Sequence, residues 1–218
     1  MRRRIYLMRH AAVAYFVDGR PLRPESVSLT EEGRDQARAA AAALRDVRLD
    51  RVLTSGLART EETARLVAPD DEPEAWPELR ELETGRLEDI PEDQLEAAFV
   101  GFFRDVVPDD ARFLGGETIG SLFDRVVPAV ERLRDEHDWE TALVVAHGGT
   151  NRAILSYALT GGRRFLGNVE QAPGCVNVLD VGERDWVVRA VNVAPYDLMH
   201  QRGRTTTMED LWTEFRRT

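Results

Sequence analysis

Lysine is absent from the sequence, and all 29 basic side chains are arginine. Without lysine the protein cannot form a Schiff base with a carbonyl substrate or with pyridoxal phosphate, and no lysine is available as a general base. The G-x-x-x-x-G-K-[ST] phosphate-binding loop is excluded for the same reason. A codon preference of the genome is the simplest explanation for arginine without lysine, because composition alone sets only a broad expectation.

Cysteine and long apolar runs are almost as scarce. Cys175 is the single cysteine, which excludes an intramolecular disulfide and a metal site built from several cysteines. A cysteine-phosphatase C-x₅-R loop is also excluded, because the residue six positions later is Val181. The apolar run 5–8 is too short for a secretory signal, and no later run approaches the length of a membrane span. These absences predict a soluble cytoplasmic protein without a membrane partner.

Acidic residues outnumber basic ones in this chain. It carries 39 Asp and Glu residues against 29 Arg residues, which gives a formal net charge of −10. An acidic chain is a poor binder of polyanions, so we expect no nucleic-acid partner. The length of 218 residues suits a single domain over residues 1–218.

Strand-like and helix-like segments alternate along the chain. Strand-forming apolar runs occur at 5–8, 51–54, 141–146, 176–181 and 186–193. Helical patterns occur at 30–47, 57–67, 95–103, 119–137, after Gly149 as far as about Gly161, and at 208–217. Pro128 is expected to kink its helix or to divide it in two. The alternation predicts an α/β fold, a three-layer sandwich in which a mostly parallel central sheet carries helices on both faces.

Two histidine-containing segments each follow a predicted strand. Arg9-His10 ends the first strand, and His147-Gly148 follows a later one. Active sites of parallel sheets form beyond the carboxyl ends of the strands. Glycine there lets a backbone approach a ligand, and the start of the next helix offers unpaired N–H groups to an anion. Each segment alone is weak evidence, because a lone histidine is more often structural and such glycines equally suit a tight strand-to-helix turn.

Several short motifs, taken together, are more specific than any one of these residues. In chain order they are Arg9-His10-Ala11; Ser55, Leu57, Arg59, Thr60, Thr63 and Ala64 in an S-x-L-x-R-[AT]-x-x-T-A pattern; Leu79-Arg80-Glu81 followed by Gly85; Gly116-Glu117-Thr118; and Val145-Ala146-His147-Gly148-Gly149. With these motifs in this order, the chain resembles the histidine phosphatase superfamily, also called the phosphoglycerate mutase-like family. The resemblance covers about residues 3–160.

The resemblance implies a role for each residue that matches a motif. Neutral His10 would attack phosphorus and become a phosphohistidine, and Glu81 would protonate the leaving oxygen and then take a proton from the attacking water. No metal and no cofactor are implied, because cationic side chains surround the phosphoryl group. The phosphate-binding set implied in this way is Arg9, Arg59, His147 and Gly148.

Some positions leave alternatives open. Glu81 stands in an acidic stretch near Glu78 and Glu83, and a solvated surface charge is the more common state of any one such residue. The sequence therefore does not decide which of the three is the proton donor. Arg152, one turn into the helix after His147, is more typical of a helix surface than of a phosphate ligand.

The chain departs from the family pattern after its first motif. Many members continue with Glu-Thr and then Asn, where this sequence has Ala12, Val13 and Phe16. The loss of polar contacts on the phosphate side favours a phosphatase with a more apolar pocket mouth over a strict phosphoglycerate mutase.

The predicted function is the metal-independent hydrolysis of a small phosphomonoester, with a small phosphorylated metabolite as partner. Two alternatives stay open: a phosphoglycerate-mutase-type phosphotransferase, and a non-catalytic member that binds a phosphorylated ligand. We expect a variable cap or insertion at about 85–117 to select the substrate and a C-terminal tail at about 196–218. A homodimer is consistent with the family.

Overall fold

A computed structural model of the protein describes residues 2–17, 20–22, 25 and 27–217. Its centre is a six-stranded sheet, and two further pairs of strands are only two residues long. The strands are β1 (Arg3–Arg9), β2 (Phe16–Val17), β3 (Arg20–Pro21), β4 (Arg51–Thr54), β5 (Glu74–Ala75), β6 (Val106–Val107), β7 (Thr141–Ala146), β8 (Phe165–Leu166), β9 (Val176–Val181) and β10 (Trp186–Val193).

The order of strands in the central sheet is β10-β9-β1-β7-β4-β5. Strands β1, β7, β4 and β5 run parallel, and the hairpin of β9 and β10 joins β1 in the antiparallel direction. The register pairs Arg9 with Ala146 and Thr54 with Val145. The carboxyl ends of β1, β7 and β4 therefore meet at one edge, where the residues that follow these strands come together.

Helices cover both faces of the sheet. They are α1 (Glu31–Leu44), α2 (Ala58–Val67), α3 (Ile119–Asp135), α4 (Gly148–Thr160) and α5 (Thr207–Phe215), with short 3₁₀ turns at Pro77–Leu79, Leu87–Asp89, Glu92–Gln94 and Phe113–Gly115. Successive strand residues point to opposite faces, so the buried side chains divide between two cores. Leu7 and Val144 belong to the core under α3 and α4, whereas Met8 and Val145 belong to the core under α1 and α2. The predicted α/β fold with three layers is confirmed.

Pro128 lies inside α3, which runs without division from Ile119 to Asp135. The prediction of a division is wrong. A proline cannot bond the carbonyl four residues earlier, but Pro128 and Asp124 both lie on the exposed side of this helix. Buried apolar residues on each side of the proline, such as Phe123 and Val130, hold the two halves against the sheet.

The segment predicted as a short helix at 95–103 contains five residues of π-helix, Ala97–Gly101. Phe99, which is 6% exposed, packs against the rings of Trp212 and Phe215 in α5 at 5.6 and 5.4 Å between centroids. The last helix of the chain is thereby fixed over the segment that precedes β6. Among the described residues, no helix has the length and apolar character needed to cross a membrane.

Gly33, in the first turn of α1, gives a test of how this helix supports the site. A Cβ atom at this position would lie 2.1 Å from the carbonyl oxygen of Ala12, two residues after His10. Gly33→Ala is expected to lower the free energy of unfolding by about 1–3 kcal/mol through overpacking, although alanine is the better helix former. Denaturant unfolding measures the change, and Gly162→Ala is the matched control because nothing lies within 4 Å of its Cβ position. A Gly33→Ala protein at least as stable as the wild type would contradict this packing.

Candidate active site

Four cationic or titratable side chains from the sequence motifs meet at the carboxyl edge of the sheet. Arg9 ends β1, His10 follows it, His147 follows β7, and Arg59 lies in the first turn of α2. They are 7%, 2%, 0% and 2% exposed in that order. The rings of the two histidines are 5.2 Å apart between centroids. The structure thus brings these four predicted residues into one buried cluster.

The tautomer of His10 follows from its hydrogen bond. Its Nδ1 lies 2.8 Å from the carbonyl oxygen of Ala11. Because a carbonyl oxygen only accepts, Nδ1 carries the proton and donates it, and Nε2 keeps its lone pair. The backbone is fixed on both sides, since His10 N donates to Ala146 O at 2.9 Å and His10 O accepts from Gly174 N at 3.1 Å. His10 is therefore oriented as a base or nucleophile at Nε2.

His147 belongs to a chain of hydrogen bonds with one direction. Its Nδ1 accepts from the guanidinium of Arg59 at 3.3 Å, so its Nε2 carries the proton and donates to Ser55 Oγ at 2.8 Å. The Ser55 hydroxyl lies 3.0 Å from that of Thr60, which itself donates to the carbonyl oxygen of Leu57. Ser55 must therefore donate to Thr60. The motif residues Ser55 and Thr60 thus fix the ring of His147.

Both buried histidines are neutral at ordinary pH. Burial lowers the pKa of His10 well below its usual value, and the charges of Arg9 and Arg59 lower it further. Burial is also the main cause of the lowered pKa of His147, followed by His10 and the guanidinium groups nearby. A neutral imidazole next to two guanidinium groups is the state in which a histidine can act as a nucleophile.

Arg9 lies against the start of α4. Its terminal nitrogen donates to the carbonyl oxygen of Gln171 at 2.6 Å and to Thr207 Oγ1 at 2.9 Å. A Cβ atom on Gly148 would lie 3.6 Å from Arg9 Nε, an ordinary contact distance, so the guanidinium lies directly beside the backbone of Gly148. Arg9 Nε itself is buried and has no hydrogen-bond partner among the described residues. A bound anion would satisfy this donor.

Glu81 reaches the same helix start from the loop after β5. Its carboxylate accepts from Gly149 N at 3.0 Å, from Thr150 N at 3.2 Å and from Leu82 N at 3.0 Å. A Cβ atom on Gly149 would lie 2.6 Å from Glu81 Oε1, so this approach requires glycine. The carboxylate therefore sits directly beside the backbone that follows His147.

The other two acidic residues left open by the sequence lie elsewhere. Glu78 forms an ion pair with Arg132 of α3 at 3.1 Å, and Glu83 is exposed and pairs with the backbone of Glu117. Of the three, Glu81 is the one whose carboxylate contacts the loop of His147. The geometry therefore favours Glu81 as the acidic member of the site.

Arg152 is not on the helix surface, and that expectation is wrong. Its side chain is 5% exposed, donates to Gly167 O at 3.0 Å and to Glu170 at 2.9 Å, and lies 4.6 Å over the ring of Phe103. Glu170 also accepts from Thr207, the residue of α5 that binds Arg9. Segments distant in sequence cover this face of α4. The pattern of apolar residues within the helix does not reveal that this face is buried.

The residues after the first motif are mostly structural. Ala12 N donates to Gln36 at 2.9 Å, Ala12 O accepts from Thr30 N at 3.0 Å, and Val13 packs against the core under α1 and α2. These contacts do not support Ala12 and Val13 as an apolar pocket mouth. The side chain of Phe16 lies outside the described residues.

Cys175 offers no competing nucleophile. It is fully buried, and burial raises the pKa of its thiol to about 12. A thiol with such a pKa is not a thiolate at neutral pH and does not attack phosphorus.

Two residues at the site could not be identified from the sequence. Arg125 of α3 binds the loop of Glu81 mainly through backbone carbonyl groups, and Thr207 of α5 binds Arg9. Backbone acceptors leave no motif in the sequence, and Thr207 lies far beyond the last of the family motifs, which ends at Gly149. The sequence feature nearest to this contact is the Gly-Glu-Thr motif, because its Glu117 pairs with Arg125 in the structure.

The lowered pKa of each buried histidine predicts loss of stability in acid. In the unfolded chain a histidine binds a proton below about pH 6.5, whereas the folded protein keeps it neutral, so stability falls as the pH drops below that value. His10→Asn is expected to reduce the slope of unfolding free energy between about pH 6 and about pH 5 by up to about 1.4 kcal/mol per pH unit. Denaturant titrations in phosphate-free buffer measure it, with the exposed His137→Asn as control. An unchanged slope in His10→Asn would show that His10 takes up its proton in the folded state.

Comparison with known proteins gives the family of this chain. The family model for the histidine phosphatase superfamily (branch 1) matches residues 5–194. The adenosylcobalamin/alpha-ribazole phosphatase of Salmonella typhimurium is 30% identical over 198 residues, covering 87% of this chain and 96% of that protein. A probable phosphoglycerate mutase of Enterobacter sp. is 31% identical over 159 residues, covering 71% of this chain and 74% of that protein.

Solved structures show the same fold. The crystal structure of a putative alpha-ribazole-5'-P phosphatase from Escherichia coli superposes with a TM-score of 0.70 at 25% identity, covering 87% of this chain and 96% of that one. The match of the family model over most of the chain confirms the resemblance found in the motifs. This chain belongs to the histidine phosphatase superfamily.

Proposed function

We propose that the protein is a metal-independent phosphatase that hydrolyses a small phosphomonoester through a phosphohistidine on His10. The observation that carries the proposal is the hydrogen bond from His10 Nδ1 to the carbonyl oxygen of Ala11, which leaves the lone pair on Nε2. Burial keeps the ring neutral, and the guanidinium groups of Arg9 and Arg59 stand beside it. A nucleophile and the positive charge that a phosphoryl group requires are thus adjacent.

The first step forms the phosphohistidine. The phosphate binds to Arg9 Nε, to the guanidinium of Arg59 and to the N–H of Gly148, since the N–H groups of Gly149 and Thr150 already hold Glu81. The negative charge of the phosphate favours uptake of a proton from water at His147 Nδ1, which then donates to the phosphate instead of accepting from Arg59. His10 Nε2 forms a bond to phosphorus while the bond between phosphorus and the ester oxygen breaks, and Glu81 gives its proton to that oxygen.

The second step returns the enzyme to its starting state. Water attacks phosphorus, its proton passes to the carboxylate of Glu81, and the bond between phosphorus and His10 Nε2 breaks with its electron pair returning to nitrogen. Inorganic phosphate leaves. Glu81 thus serves first as an acid and then as a base, which its position beside the loop of His147 allows.

A cavity of about 310 Å³ is connected to Arg9 through one intervening residue, because its wall residue Glu170 accepts from Thr207 and Thr207 accepts from Arg9. Its walls include Phe103, Arg104, Asp105, Arg152, Glu170 and Glu209. It shares Arg152 with the neighbourhood of Gly148 and lies next to Thr207, which binds Arg9. We propose that the part of the substrate beyond its phosphate occupies this cavity, whose volume and mixed charges suit a small polar group.

A phosphoglycerate-mutase-type reaction is the second candidate, and one of the relatives described above is a probable mutase. A mutase keeps the phosphoryl group on its histidine and needs a bisphosphate primer, whereas a phosphatase passes the group to water. Release of inorganic phosphate without primer therefore separates the two. A purely binding protein would not require the oriented nucleophile that His10 presents.

The direct test is the turnover of p-nitrophenyl phosphate without added metal. We expect the wild type to release phosphate equally with and without a chelator, and His10→Ala to lose at least about 10³-fold in rate, as enzymes do when a covalent nucleophile is removed. His137→Ala, at an exposed histidine, is the control and should keep full activity. Equal rates in wild type and His10→Ala, or loss of activity on chelation, would contradict the proposal.

A further inference from the structure

Arg125 of α3 makes an unusually complete set of hydrogen bonds. Its side chain is 24% exposed and lies below the loop that carries Glu81. Nε and one terminal nitrogen bind the two carboxylate oxygens of Glu117, each at 2.8 Å. The remaining N–H groups bind the backbone carbonyl oxygens of Glu78 and Arg80, both at 2.7 Å, and of Glu81 at 3.1 Å.

This arrangement uses every donor that the side chain has. A guanidinium carries five N–H groups in a fixed plane, and five acceptors are present for them. A lysine in the same place would bring the same charge but only three donors around one nitrogen. The geometry of this contact therefore depends on arginine and not on positive charge alone.

Glu117 completes the contact from the other side. Its carboxylate accepts from Glu83 N at 3.2 Å, and its own N–H donates to Glu83 O at 2.8 Å. Gly116 is needed for this approach, since a Cβ atom there would lie 2.1 Å from Glu83 O. Arg125 and Glu117 thus fix the backbone on both sides of Glu81.

The opposite side of the same loop is fixed by the start of α4. Thr150 Oγ1 donates to Arg80 O at 2.7 Å, and the N–H groups of Gly149 and Thr150 hold the carboxylate of Glu81. The carbonyl oxygen of Arg80 therefore accepts from Arg125 and from Thr150 together. Glu81 is held between α3 and the loop that carries His147.

We propose that Arg125 and Glu117 are positioning residues for the proton transfer by Glu81, acting through the backbone of residues 78–83. This inference rests on the role of Glu81 in the proposed function. Neither residue touches the reacting atoms; they determine where the carboxyl group stands relative to the ester oxygen. A loss of the contact would weaken protonation of the leaving group while the attack by His10 continues.

Two substrates of similar size separate the protonation of the leaving group from the attack by His10. p-Nitrophenyl phosphate releases a weakly basic phenolate that leaves without protonation, whereas benzyl phosphate releases a strongly basic alkoxide that needs an acid. The value of kcat/KM reports formation of the phosphohistidine for both. The test compares the two substrates in the wild type, Glu81→Gln, Arg125→Lys, Glu117→Gln and Arg132→Lys.

Arg125→Lys is expected to lose roughly tenfold to hundredfold in kcat/KM on benzyl phosphate, as a small misplacement of a catalytic group does. On p-nitrophenyl phosphate the loss should stay below about threefold, because little general acid catalysis is needed there. Glu117→Gln should show the same selectivity. Arg132→Lys, on the same face of α3 two turns later and paired with Glu78, should change neither value.

The outcomes separate this inference from the function on which it rests. If Glu81→Gln loses about 10²- to 10⁴-fold on benzyl phosphate alone while Arg125→Lys and Glu117→Gln show no selectivity, the positioning role is wrong and the proposed function stands. Equal losses on both substrates in these two variants also overturn it, since that is the effect of general destabilisation. If Glu81→Gln is itself unselective, the proposed role of Glu81 fails. Thermal unfolding of each variant identifies a protein that does not fold, and Glu117→Gln then carries the test.

Discussion

The hydrogen bond from His10 Nδ1 to the carbonyl oxygen of Ala11 decides which nitrogen of His10 can react, and the surrounding structure serves to keep that bond and that tautomer. Burial at the carboxyl edge of the sheet keeps the imidazole neutral, and the two guanidinium groups lower its pKa further. The same charges prepare the site for an anion. One arrangement of β1, β7 and α2 therefore supplies both a nucleophile and the positive charge around it.

The position of Glu81, the acidic residue of the site, depends on a different part of the molecule. Glu81 lies in an irregular loop, yet its carboxylate is fixed by the N–H groups at the start of α4 and its backbone by Arg125. An isolated loop would not keep a proton donor at one position. Here α3 and α4, which pack on the same face of the sheet, hold the loop between them, so the helical layer contributes to the placement of the acid.

Much of the candidate site could be predicted from the sequence, because its main residues directly follow strands. Arg9, His10 and His147 stand where parallel strands end, and the motifs around them indicate a phosphate site. The choice of Glu81 over its acidic neighbours could not be predicted, since it depends on which carboxylate meets the N–H groups of Gly149 and Thr150. The burial of Arg152 could not be predicted either, because segments distant in sequence cover α4. The partners of Arg125 are largely backbone carbonyl groups, which any sequence could supply.

In the proposed mechanism Nε2 of His10 attacks phosphorus, so identifying the phosphorylated atom is the decisive experiment. Glu81→Gln protein mixed with p-nitrophenyl phosphate should accumulate the intermediate, because the phenolate leaves without an acid while water lacks its base. After an alkaline quench, peptide mass spectrometry identifies the residue and ³¹P NMR identifies the nitrogen. We predict phosphate on Nε2 of His10. Phosphate on Nδ1, on another residue such as His147, or no phosphorylated protein at all would contradict the account.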